Sequence, residues 1–210
     1  MKNLYNPLND LFDDVVFVSK IKSKLPKLFH IAEIESSRAG KIGMEVGSLR
    51  EKIIIALLIK KYGLKRVNPD ISITASETDV LIDGKPVSIK TITGAGRVKA
   101  VWTVDAKSSK NFINNYSPKC DMLLVQIFWN SSRGGFYFIP LEVQNDIFNK
   151  LGNDNFLTMP KAGTNPRGVE YSKEALSMMV SHPLTRRIEI YWEKEEIKHD
   201  VYKRWIDYWE

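Results

Sequence analysis

The sequence holds a single cysteine, Cys120, and three histidines, His30, His182 and His199. One thiol excludes a disulfide framework and a thiolate zinc site. The histidines lack any mutual spacing of the kind a zinc or histidine-based nuclease centre needs. No apolar run reaches the ~18 residues of a membrane span. The opening MKNLYNPLNDLFDD places Asn, Pro and acids where a signal peptide carries apolar residues. Repeats, low-complexity tracts and linkers are missing too. What remains is a chain of 210 residues, 43% hydrophobic, enough for one real core. These absences lead us to expect one intracellular, cytoplasmic globular domain.

The formal charge is +6, from 31 Lys and Arg against 25 Asp and Glu. An excess of this size permits a polyanionic partner without arguing for one. Its distribution says more. Lys20, Lys22, Lys24, Lys27, Arg38 and Lys41 form one basic cluster; Lys85, Lys90, Arg97, Lys99, Lys107 and Lys110 form a second. The tail runs acidic, from Glu193 to Glu210. Clusters of this kind suit a polyanion bound on one side, and equally describe solvated faces.

Hydrophobic periodicity predicts two short helices over 8–35, broken at Pro26, and a helix from about Met44 or Ser48 to Tyr62, stopped by Gly63. Strands are expected at 71–74, 78–82, 86–92, 98–104, 121–129, 136–140 and 187–193. Helices are expected at about 142–151, 172–181 and 199–209, with a Gly/Pro/Asn-rich loop over 152–170. The pattern reads as α/β (α+β): a mixed, mainly antiparallel central sheet flanked by helices.

Asp83-Gly84 sits between two β-rich runs, a strong signal for a two-residue hairpin. A two-residue loop fixes the register. Val80 then faces Val87, Asp79 faces Ser88 and Glu77 faces Lys90. Alternation puts Glu77, Asp79, Ser88 and Lys90 on one face and Val80, Ile82, Val87 and Ile89 on the other, which is core. The first set gathers two carboxylates, a hydroxyl and an ammonium group. An exposed cross-strand ion pair would have the same pattern. On the preceding helix, Glu51 is followed by Ile54, Ile55 and Leu58, so it points from the buried stripe. A carboxylate there needs a partner or a metal, unless solvent and the helix dipole at the first turn relieve it.

Gly-Ser-x-x-Glu on a helix, then an Asp, a hairpin turn and x-x-Lys on the next strand together resemble the core of the PD-(D/E)XK nucleases. The stretch SIKTITGAGRVKAVWTVD, the strand CDMLLVQIFWN and the loop GTNPRGVE are similar, more narrowly, to type II restriction endonucleases of the ThaI type. By position the resemblance implies Glu51, Asp79, Ser88 and Lys90 as the catalytic set, with Ser88 where the family usually has a second acid. A hydroxyl is a weaker metal ligand than a carboxylate. Glu77 or Glu51 could supply the missing charge. A literal Pro69-Asp70 lies outside the hairpin register, so Asp79 is preferred. The resemblance implies a Mg²⁺ ion, for which Mn²⁺ substitutes, held by Asp79, Glu51 and the Ile89 backbone carbonyl. Lys90 would orient or deprotonate the attacking water. It also implies a single nuclease domain over 1–210 with its core at about 44–140. Residues 1–43 and 141–210 would serve DNA binding and dimerisation.

Double-stranded DNA is the partner so implied, cut at a short palindrome, CG-rich by the ThaI-type likeness, by a homodimer. Candidate DNA contacts are Arg38, Lys41 and Met44 ahead of the catalytic helix, Arg97 and Lys99 after the catalytic strand, and Asn165 and Arg167 in a stiff loop. Asn and Arg can read adenine and guanine edges bidentately, and Met44 could wedge between bases. Each segment also has a purely structural reading: a glycine turn, a loop, a core methionine. A junction-selective nuclease or a non-catalytic DNA-binding protein on the same core would share these features. Ser88 favours the last.

Overall fold

The computed structural model describes residues 6–39, 41–43, 45–72, 77–102, 105–160 and 168–210. Two helices open it, α1 (Pro7–Asp13) and α2 (Val15–Ser36). A short hairpin of β1 (Ser37–Arg38) and β2 (Lys41–Ile42) leads to α3 (Val46–Tyr62). Then come β3 (Val67–Asn68), β4 (Val80–Ile82), β5 (Lys85–Thr93) and β6 (Lys99–Val101). Helix α4 (Ala106–Asn114) precedes β7 (Asp121–Ile127) and β8 (Gly134–Ile139). The chain closes with α5 (Leu141–Leu151), α6 (Asn153–Phe156), β9 (Leu157–Thr158), β10 (Val169–Tyr171), α7 (Lys173–Ser181), β11 (Arg186–Ile188) and α8 (Lys203–Asp207).

The main sheet has six strands in the order β11-β8-β7-β5-β4-β3. All its pairings are antiparallel except β5 with β7, so the mixed, mainly antiparallel sheet is as the sequence reads. Strand β7 explains its own apolar run. Leu123, Val125 and Ile127 enter a core shared with α1, α2 and α3, while Met122 and Leu124 enter a second core on the opposite face. A strand buried on both faces has no polar side to alternate with. The second core also holds Val143 and Ile147 of α5, Phe156, Tyr171 and Met179. A separate three-stranded sheet, β6-β10-β9, stands on that side.

Several expectations need correction. The N-terminal helices break at Asp14, not at Pro26, which lies buried within the continuous α2. Asp14 decides the break because its carboxylate accepts the Val16 and Phe17 N–H groups and caps α2. The loop expected over 152–170 contains α6 and β9. Helix α4, capped by Asp105 on the Ser108 N–H, was not foreseen. Residues 71–72 form no strand, and residues 73–74 of the strand expected there fall outside the described residues. Only Arg186–Ile188 pairs at the last strand, and only Lys203–Asp207 coils in the last helix.

Candidate active site

The hairpin comes first. Asp83 and Gly84 both have positive φ, 50° and 77°, as a type I′ turn demands. Val80 pairs with Val87 and Ile82 with Lys85, the register read from the turn. Val80, Ile82, Val87 and Ile89 are buried in the helix-side core. Strand β4 begins only at Val80, so β5 beyond Val87 is paired to β7 alone. Its other edge opens to a cleft of about 310 Å³ lined by Ser48, Glu51, Ile89, Lys90, Arg97 and Lys99, among others.

Asp79 bonds to two residues of that lining, Ile89 and Lys90. Its Oδ2 accepts the Ile89 N–H at 2.5 Å, the Ser88 hydroxyl at 3.2 Å and the Lys90 ammonium at 3.3 Å. No hydrogen bond to its Oδ1 occurs among the described residues. Asp79, Ser88 and Lys90 therefore come together as expected. Ser88 is fully buried, 1% exposed, and acts here as a donor to Asp79.

Glu51 approaches from the first half of α3. Burial raises its carboxyl above the usual range, and the neighbouring Asp79 charge raises it further, against Lys90 and Lys52. A carboxylate whose charge is disfavoured by burial and by a neighbouring acid, on an open cleft, is a place where a cation would relieve it. The donors are all oxygen, which suits a hard ion such as Mg²⁺ that keeps most of its waters. Among the described residues no group of three or more His, Cys, Asp and Glu side chains gathers for a metal. The buried line of α3 differs from expectation. It runs through Arg50, Ile54 and Leu58, with Glu51 half-buried at its margin. A cation heads the buried stripe because Arg50 donates at 2.6 Å to Glu33 of α2, itself 2% exposed.

Glu77 departs from the expected register. The ladder ends at Val80, and Glu77 lies in a turn with φ 66°, a left-handed conformation unusual for a side chain with Cβ. It is buried, and its Oε1 accepts both the Tyr116 and Tyr171 hydroxyls, at 2.9 and 3.0 Å. Burial raises its carboxyl, opposed by those two bonds and by the Lys90 charge. Neither tyrosine carries a sequence signal, since each reads as an isolated aromatic. Cys120 is a buried core residue as expected, its thiol pushed up to about 12 by burial and Glu77.

The candidate DNA contacts divide. Arg97 is exposed beside the cleft, and Lys99 lies on β6 with its ammonium 4.3 Å from the Trp102 ring centroid. Trp102, 60% exposed on the same cleft, escaped the sequence reading. Arg38 and Lys41 are exposed and paired across the β1–β2 hairpin, just ahead of α3. Met44, Asn165 and Arg167 lie outside the described residues.

Comparison with known proteins now adds identity to geometry. A family profile described as "Restriction endonuclease ThaI" matches residues 11–210. The chain belongs to the ThaI restriction endonuclease family. A solved structure described as a restriction endonuclease in complex with substrate DNA is 49% identical to it. That match has a TM-score of 0.91 and covers 97% of this chain and 99% of that one. Comparison with curated proteins gave no match. A ThaI-family chain is a type II restriction enzyme, a site-specific deoxyribonuclease, and the fold agrees with that of its structural neighbour. The non-catalytic and junction-selective alternatives thereby give way.

Proposed function

We propose that this endonuclease hydrolyses phosphodiester bonds in double-stranded DNA at a short palindrome, CG-rich by family likeness. We further propose that it is a homodimer, that Mg²⁺ is its metal with Mn²⁺ able to substitute, and that it works in the cytoplasm on a PD-(D/E)XK core. One observation carries the reading: Glu51 and Lys90 line one cleft with Arg97 and Lys99, and Asp79 accepts from the Lys90 ammonium. Asp79, the Ile89 carbonyl and Glu51 would hold the metal, which when bound offsets phosphate charge and acidifies water. Lys90, its ammonium 3.3 Å from Asp79, orients the attacking water and offsets the phosphate charge. Arg97 and Lys99 hold the phosphates that flank the scissile bond. Arg38, Lys41, Met44, Asn165 and Arg167 reach the duplex as phosphate and base contacts.

Ser88 does not stand against catalysis in this arrangement. Its hydroxyl serves the Asp79 carboxylate, and Glu51 contributes the second negative charge at the site. The deciding experiment is a digest of long duplex DNA with purified protein, with Mg²⁺ and with EDTA. Discrete fragments whose sequenced ends share one palindrome are expected only with the metal. Cleavage in EDTA, or fragments without common ends, would sink the proposal.

A further inference from the structure

Glu77 is a buried acid held in a backbone conformation that suits glycine, two residues ahead of Asp79. A strained residue persists only where its surroundings over-determine it. Here the surroundings are two tyrosines from distant parts of the chain. Tyr116 follows α4; Tyr171 ends β10. Their hydroxyls lie 3.1 Å apart, and both reach Glu77 Oε1. The Cys120 thiol adds a donor to the Glu77 carbonyl at 3.5 Å. Tyr171 reaches further still: its N–H donates to the Val98 carbonyl at 2.9 Å, between Arg97 and Lys99. Strand β10 continues that contact, with Glu170 paired to Lys99 and Val169 to Val101 of β6. One residue thus joins the basic rim of the cleft to the turn that delivers Asp79.

We propose that Glu77 is a positioning residue, clasped by Tyr116 and Tyr171 so that the Asp79 turn and the Arg97–Lys99 segment keep one fixed spacing. The inference rests on the nuclease reading above and departs from a metal-ligand role for Glu77. Two hydroxyls already occupy its Oε1. Lys90 bonds to Asp79 at 3.3 Å, so holding the aspartate also holds the partner of the ammonium. The phosphate seat and the water-activating group then face each other at a set distance. Reacting groups misplaced by as little as ~1 Å can lose about 10²-fold in rate.

The test compares wild type with Glu77→Ala, Glu77→Gln and the pair Tyr116→Phe/Tyr171→Phe. It reads single-turnover cleavage, the Mg²⁺ half-saturation point, DNA affinity with Ca²⁺ in place of Mg²⁺, and Tm. Glu77→Ala and the double tyrosine variant should each cut about 10- to 100-fold more slowly. Mg²⁺ half-saturation and DNA affinity should stay within about twofold. Glu77→Gln, which keeps both accepted bonds, should recover most of the loss. A Mg²⁺ requirement raised tenfold in Glu77→Gln would make Glu77 a ligand and overturn the proposal. A lowered Tm with an unchanged cleavage rate would make it merely structural and also overturn it. If Glu77→Ala does not fold, the tyrosine pair, which only deletes two hydroxyls, still decides. A wild-type protein that does not cut overturns the nuclease reading instead, so the two failures are distinguishable.

Discussion

Asp79 and Ser88 show how one side chain's neighbours define its role. The Asp79 carboxylate takes a backbone N–H, a hydroxyl and an ammonium on a single oxygen. Replacing it with Ala removes the acceptor for all three and the proposed metal donor. Lys90→Ala removes the cation proposed to orient the water and offset phosphate charge, a loss of about 10²–10³-fold for a preorganised electrostatic group. Both variants should lose Mg²⁺-dependent cleavage by at least that factor. Duplex affinity in a mobility-shift assay should be preserved, because neither side chain belongs to the basic rim. Full cleavage by either would remove the assignment. Ser88 is a subtler case. A single neutral hydrogen bond is worth ~1 kcal/mol, so Ser88→Ala should slow cleavage only about fivefold. A loss of several hundredfold would instead make the hydroxyl a metal ligand.

The hairpin was legible because a two-residue turn dictates its own register, and register dictates faces; Asp79, Ser88 and Lys90 followed from Asp83-Gly84 alone. Glu77 did not follow, since a left-handed residue ends the ladder and no composition rule announces one. The buried line of α3 was misplaced by a related blindness. Arg50 looks like a surface residue until Glu33, seventeen positions earlier, is seen beneath it. Glu33 also accepts from Trp129 at 2.9 Å and Lys194 at 3.1 Å, tying α2, α3 and the C-terminal segment together. Arg50→Met should cost about 3 kcal/mol, the lower end for a broken buried pair because Lys194 still serves Glu33. That is roughly 6–12 °C in Tm for a chain of this size. The α1–α2 break was missed because Pro26 is a louder signal than an N-cap. Asp14 is the cap, and the Lys61 ammonium bonded to it holds its carboxyl below the usual range, with the Phe17 N–H adding to this. A depressed carboxyl contributes stability that is present above its unfolded value and lost as pH falls through the folded one. Asp14→Asn, which keeps a capping oxygen but no charge, should therefore lower Tm by a few degrees at pH 7. The gap should close as both proteins are acidified below the usual Asp range. A gap that persists in acid would deny the ion pair its role.

Charge is where the whole molecule has its say. The net +6 averages acids such as Glu51 and Asp79 with cations such as Arg38, Lys41, Arg97 and Lys99, and Glu51, Arg97 and Lys99 line one cleft. Cations bound to phosphates release counterions from DNA, so the affinity falls with salt by about 0.9 in log–log slope per contact. Removing Arg97 and Lys99 together deletes two contacts in each protomer that engages the duplex. If the enzyme binds as the proposed homodimer, the double Ala variant should flatten the slope by about 4; a single engaged protomer would give about 2. The measurement is affinity for one oligonucleotide, with Ca²⁺ in place of Mg²⁺, over a series of salt concentrations. Lys150→Ala serves as the control, because Lys150 pairs with Asp146 on α5, away from the residues that line the cleft, and its slope should match wild type. An unchanged slope in the Arg97/Lys99 variant would remove both residues from the phosphate contacts. A change near 2 would keep the contacts and discard the dimer, so one titration tests the interface with DNA and the number of chains upon it.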